Sequence, residues 1–146
     1  MAAAGIAALF SNEHQEALKY FLKAFAVDST EASICARIGY VWWKSGKQDE
    51  ARTMFERSRN LHQIEIERDT EWYESFYDLA AISSVEGKTD EIYRWLRKAI
   101  ALGWRSYRLA LRDPMFENLR AEVQFKTLMR NVEEMVQRAR MNALNE

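Results

Sequence analysis

Side chains able to do covalent or metal chemistry are scarce in this sequence. His14 and His62 are its only histidines and Cys35 its only cysteine. The histidines stand far apart, and neither belongs to an HExxH or HxH pattern, the spacings that bring two imidazoles to one metal. A single cysteine forms no disulfide within the chain and no thiolate cluster. No metal and no cofactor is therefore expected. Cys35 falls in a core-facing helix column with no histidine beside it in register, and reads as a small apolar filler. His62 reads as a surface residue. The pairs Glu65/Asp69, Asp90/Glu91 and Glu133/Glu134 lack a convergent partner and suit helix solubility. Gly46 and Gly87 stand alone in turns, so no loop cradles a phosphate. No catalytic residue is expected, and the chain does not read as an enzyme.

What remains suits recognition. Arg37, Tyr40, Trp43, Lys44 and Tyr77, with Asp78 alongside, form a mixed aromatic and charged set. Aromatics and arginine dominate binding hot spots because they bury much area for little lost freedom. Cationic heads beside them take a carboxylate. The competing reading is that Tyr40 and Trp43 pack between neighbouring helices. Arg105, Arg108 and Arg112 read as a solvated face.

The elements that must position this set are helices. The chain has 146 residues, of which 48% are hydrophobic and 29% charged, the composition of an ordinary globular domain. Its 21 basic residues are balanced by 22 acidic ones, against the basic excess of a nucleic-acid binder. The opening MAAAGIAALF has no basic leader and is too short for a membrane span. A cytoplasmic protein with no membrane and no nucleic-acid partner is expected. Five glycines and one proline leave few helix breakers.

The glycines expose a repeat. Gly5 and Gly39 stand 34 residues apart. The segment Lys44-Ser45-Gly46-Lys47-Gln48-Asp49-Glu50 nearly repeats as Val85-Glu86-Gly87-Lys88-Thr89-Asp90-Glu91. Aligned on these, residues 1–31, 32–65 and 73–106 form three units, with 66–72 inserted. Ala4-Gly5, Ala17 and Phe21 fall in the same columns as Ile38-Gly39, Ala51 and Phe55, and as Leu79-Ala80, Ile92 and Leu96. Small residues let two helix backbones approach, and the larger ones wedge between hairpins.

This pattern resembles the tetratricopeptide repeat, a 34-residue helix–turn–helix unit. The resemblance covers about residues 1–106 and implies an all-α solenoid of about three hairpins. It also implies a concave side lined by the first helix of each hairpin. Arg37, Tyr40, Trp43, Lys44, Tyr77 and Asp78 would lie in that groove and hold a protein or peptide segment, an acidic one by charge. Family members that grip chaperone tails use Lys and Asn as a carboxylate clamp. The matching columns hold Ala2, Ile6, Arg37 and Tyr40, so that partner is not expected.

Seven inserted residues add about two helical turns, so Gln48 to about Arg68 reads as one long helix, with Ile64, Ile66 and Trp72 on its overhang. Asp69 or Thr70 would cap the next helix. Gly103 suits a helix C-cap, and Asp113-Pro114 a capped helix start. Residues 107–146 read as a connector and capping helix of the same domain, the last helix running from about Glu122 to Met141. Its stripe of Phe125, Leu128, Met129, Val132, Met135 and Val136 would close the stack. The run from Gly103 to Leu128 is similar to the segment closing tetratricopeptide regions of bacterial regulators. That implies, as an alternative, a self-associating or regulatory C-terminal module of a larger signalling or transcription protein. Met1, Ala4 and Ala8 would form an apolar edge for a homodimer.

Overall fold

The computed structural model describes residues 1–68 and 72–146. The expected caps Asp69 and Thr70, and part of the 66–72 insertion, lie outside the described residues. Among the described residues all regular structure is helical: α1 (Ala2–Phe10), α2 (His14–Val27), α3 (Ala32–Lys44), α4 (Gln48–Glu67), α5 (Tyr73–Glu86), α6 (Thr89–Ala101), α7 (Tyr107–Arg112), a 3-10 helix (Pro114–Leu119) and α8 (Val123–Leu144). Helices α1/α2, α3/α4 and α5/α6 pack as successive hairpins, and each hairpin packs on the next through α2–α3 and α4–α5 contacts. The first helices α3 and α5 also touch.

Two glycines set the hairpin spacing. A Cβ built on Gly5 would lie 2.6 Å from the Phe21 ring, and one on Gly39 would lie 2.6 Å from the Phe55 ring. The aromatic ring occupies the space that any side chain would need. In the third hairpin the same columns hold Ala80 and Leu96, both fully buried, so a larger residue on one helix is matched by a smaller one on the other.

The turns repeat as well. Glu13 N–H donates to Ala8 O, Lys47 N–H to Trp42 O, Lys88 N–H to Ser83 O and Trp104 N–H to Ala99 O. That six-to-one bond is the Schellman closure, which needs a left-handed residue before the donor. Gly46, Gly87 and Gly103 supply it at φ of 83°, 74° and 109°, and Asn12 supplies it at 62°.

Helix α5 is the keystone. It is buried continuously from Ser75 to Val85, because α3, α4, α6 and the 3-10 helix surround it. The long α4 reaches Glu67 as expected, with Ile64 and Trp72 exposed and Ile66 packed on the core. His62 is not at the surface as the sequence suggested. It is only 3% exposed, because α5 packs on α4 there and brings Asp78 to its Nε2 at 3.1 Å. Ala8 is likewise turned inward with Gly5 and Leu9, away from the outer face of α1, while Met1 and Ala4 are exposed. The stripe on α8 buries Phe125, Met129 and Val132, and Val136 packs partly. No helix among the described residues is long and apolar enough to cross a membrane.

Candidate functional site

The face shared by α1, α3 and α5 gathers most of the candidate residues. On α3, Arg37, Tyr40 and Lys44 follow at helical intervals of three and four, so they share one stripe. Tyr77 meets them from α5. Trp43 sits off the stripe, its ring packed on Phe55 at 6.1 Å between centroids, with the Arg52 guanidinium 5.6 Å from its centre. Only its edge borders the groove, beside Lys44 and Glu117.

The chain itself fills much of this groove. After α7 the backbone turns at Asp113, and the 3-10 helix lies against α5. Met115, Phe116 and Leu119 are buried. Phe116 meets Tyr77 edge-on at 5.3 Å and stacks on Phe125 of α8 at 5.7 Å. Asp113 is fully buried. Its Oδ1 accepts the Met115 N–H at 3.0 Å, the cap expected from Asp-Pro. Its Oδ2 accepts the Tyr77 hydroxyl at 2.7 Å and pairs with Arg37 Nη1 at 3.5 Å. At the rim, Glu117 Oε1 pairs with Lys44 Nζ at 2.7 Å and accepts the Tyr40 hydroxyl at 3.4 Å.

The electrostatics follow from this closure. Burial, with the Asp113 charge next, pushes the Tyr77 phenol well above its ordinary value. Burial and Glu117 likewise raise Tyr40. Burial opposes the charge on Arg37, but Asp113 and Asp78 outweigh it and keep the guanidinium protonated.

Burying Met115, Phe116 and Leu119 is worth roughly 1.5–3 kcal/mol each. Their sum rivals the whole stability of a small domain, about 5–15 kcal/mol. The segment is therefore an integral plug, and not a strap that a partner displaces at little cost.

A second polar cluster joins α3, α4 and α5. Asp78 Oδ2 accepts the Ser33 hydroxyl at 2.5 Å and contacts His62 Nε2 at 3.1 Å. His62 Nδ1 contacts Glu65 Oε2 at 3.2 Å, which also accepts the Ser75 hydroxyl at 2.9 Å. Burial works against the imidazolium, but the bonds and charges of Asp78 and Glu65 outweigh it and raise the His62 pKa. The Asp78 carboxyl is held low for the complementary reason: burial raises it, while His62 and Arg37 lower it further. With a carboxylate on each ring nitrogen, His62 is a charged clip and offers no free lone pair for base catalysis. Asp78 is thus a buried bracing residue, and not a free charge in the groove.

Other candidates are scattered. Arg105 donates to the carbonyls of Ile100 and Trp104 at the end of α6, and Arg108 lies over the Tyr107 ring. Cys35 is buried, which pushes its thiol pKa up. Among the described residues no group of three His, Cys, Asp or Glu is placed to hold a metal ion.

The sequence reading missed the plug. Its one local signal was the pair of buried-type residues Met115 and Phe116 behind a capping Asp-Pro, in a stretch with no long helix to bury them. Compared with known proteins, the chain matches no family model and no curated sequence.

Proposed function

We propose that the chain is a non-catalytic scaffold of the tetratricopeptide type that holds an extended protein segment on its concave face. The observation that carries this reading is the Asp113–Leu119 plug. It lies on that face with Asp113 on Arg37 and Glu117 on Lys44, and with apolar side chains seated between helices. A face built to seat one acidic and apolar segment has the chemistry to seat another on its uncovered part. The engaged nitrogens of His62 and the buried thiol of Cys35 support a binding role over a catalytic one. A lone reduced thiol also suits the cytoplasm.

The test is a peptide array probed with the full chain. Acidic–apolar segments should be retained and basic–polar ones should not. Retention of neither, or of both equally, overturns the reading.

Self-association, or service as a regulatory module of a larger bacterial protein, is the second reading. Apolar side chains exposed at both ends of the stack favour it: Met1, which precedes α1, is 58% exposed and Leu144 on α8 is 81% exposed. Sedimentation as a single copy at high concentration eliminates a stable homodimer.

A further inference from the structure

The plug leaves one part of the concave face open. A cleft of about 240 Å³ remains beside the N-terminal ends of α3 and α5, walled by Ile6, Ile34, Tyr73 and Leu109, with Arg37 and Tyr77 also lining it. Ser33 and Glu74 stand on the same cleft.

Arg37 decides what the cleft can hold. The residue is only 8% exposed. Its hydrogen-bond partners, Asp113 Oδ2 at 3.5 Å and the Met115 sulfur at 2.8 Å, both use Nη1. Among the described residues Nε and Nη2 have no hydrogen-bond acceptor, and neither is sealed from solvent. That edge of a guanidinium is the fork that fits a carboxylate with two parallel bonds.

The nearby acids cannot fill it. Asp113 is committed to Tyr77, the Met115 N–H and Nη1. Asp78 is committed to Ser33 and His62. The buried charges balance, Arg37 and His62 against Asp78 and Asp113. An incoming carboxylate is therefore held by the open fork and not by a net field. Glu74, exposed at the rim, opposes it. Behind the fork the walls are apolar, aliphatic at Ile6, Ile34 and Leu109 and aromatic at Tyr73 and Trp104.

We infer that this cleft recognises an acidic residue followed by an aliphatic one in an extended segment of a partner protein. The carboxylate takes Arg37 Nε and Nη2, and the aliphatic side chain enters between Ile6, Ile34 and Leu109. The volume admits one or two side chains and no folded element. The plug shows the same pairing on the other side of the same guanidinium, where Asp113 and Met115 share Nη1. This inference rests on the scaffold reading and names the partner chemistry.

The experiment uses the full chain and a fluorescein-labelled Gly/Ser peptide carrying one Asp-Leu pair, read by fluorescence anisotropy, with Asn-Leu and Asp-Ser peptides as controls. Asp-Leu should bind, and either control should weaken binding about tenfold or more, the scale of one charge-assisted bond or one buried aliphatic side chain. Ile6→Glu should abolish binding. Glu74→Gln should tighten it, a gain that a merely structural role would not produce. Both positions are exposed, so unchanged far-ultraviolet circular dichroism separates these effects from unfolding. If array peptides are still retained while Ile6→Glu and Glu74→Gln change nothing, the cleft is not the site and only this inference falls. If no peptide of any kind is retained, both readings fall. N-acetyl-leucine binding as tightly as the peptide would make this a small-carboxylate site and overturn the partner segment.

Discussion

The two ends of the face shared by α3 and α5 use the same helices but are finished differently. Toward the C-terminal end of α3, Tyr40 and Lys44, with Tyr77 reaching in from α5, meet a plug whose carboxylates match their polar groups and whose apolar side chains fill the space. Toward the N-terminal ends, Ile6, Ile34 and Leu109 border a cleft where, among the described residues, no acceptor bonds Nε or Nη2 of Arg37. The repeat therefore supplies a face, and the chain beyond Gly103 decides how much of it is closed. Arg37 belongs to both halves, with Nη1 on the plug side and Nε and Nη2 on the cleft side.

The largest expected contrast is in stability. Phe116→Ala removes a fully buried ring that contacts Tyr77 and Phe125. It should cost about 3–5 kcal/mol in urea unfolding, the scale of buried aromatic truncations. Leu109→Ala at the open end, where the side chain is half in water, should change stability by about 0.5 kcal/mol or less. Similar losses at both positions would erase the distinction between a sealed half and an open one.

Next comes the charge at the boundary. Asp113→Ala leaves Arg37 buried with its paired carboxylate gone and strands the Tyr77 hydroxyl. Breaking a buried pair this way should cost about 3 kcal/mol. Glu74→Ala, an exposed acid on the same cleft, should cost about 0.5 kcal/mol or less. A small effect at Asp113 would mean that the sealed half relies on its apolar contacts alone.

These residues also show what the sequence made legible. The close helix approach at Gly5 and Gly39 lies within single hairpins, so fixed spacing and small residue size revealed it; Phe21 and Phe55 read as wedges between hairpins, whereas the structure seats their rings on Gly5 and Gly39 of the same hairpin. The Schellman turns at Gly46 and Gly87 were legible for the same local reason. Asn12 was not, because asparagine tolerates the left-handed region without advertising it. Asp113 was read as a cap, and one of its oxygens is one. Its other oxygen serves Tyr77 and Arg37, partners far away in the chain that no local pattern encodes. His62 was misplaced because helical periodicity gives the faces of α4 but not which face the next hairpin covers.

A smaller effect is pH dependence, which arises away from the plug. His62 has its pKa raised above 6.5 in the folded state, by Asp78 and Glu65 acting against burial. Its contribution is complete below the unfolded value and is lost as pH rises through the folded one. Asp78 has its pKa lowered below 3.8 despite burial, so its contribution is present above that value and is lost as pH falls through the lower folded one. Stability should therefore decline on both sides. His62→Gln should flatten the alkaline limb in thermal melts between pH 6 and pH 9. An unaltered alkaline limb in that variant would show that the clip carries no charge.

The smallest expected effect lies at the outer rim of the sealed half. Lys44 and Glu117 are 2.7 Å apart, but their side chains are 39% and 37% exposed. Water and salt screen such a pair, and holding two long side chains costs entropy, so its coupling should be about 0.2–1 kcal/mol. A double-mutant cycle of Lys44→Ala with Glu117→Ala measures this directly, and added salt should shrink it. The matching cycle of Tyr77→Phe with Asp113→Asn, a pair buried between α5 and the plug, should resist salt, because the charge there is out of reach of mobile ions. If the rim pair proved as salt-resistant as the inner one, the sealed region would extend further toward the mouth of the groove than the exposures suggest. The uncovered part of the face would then be the cleft at Arg37 alone.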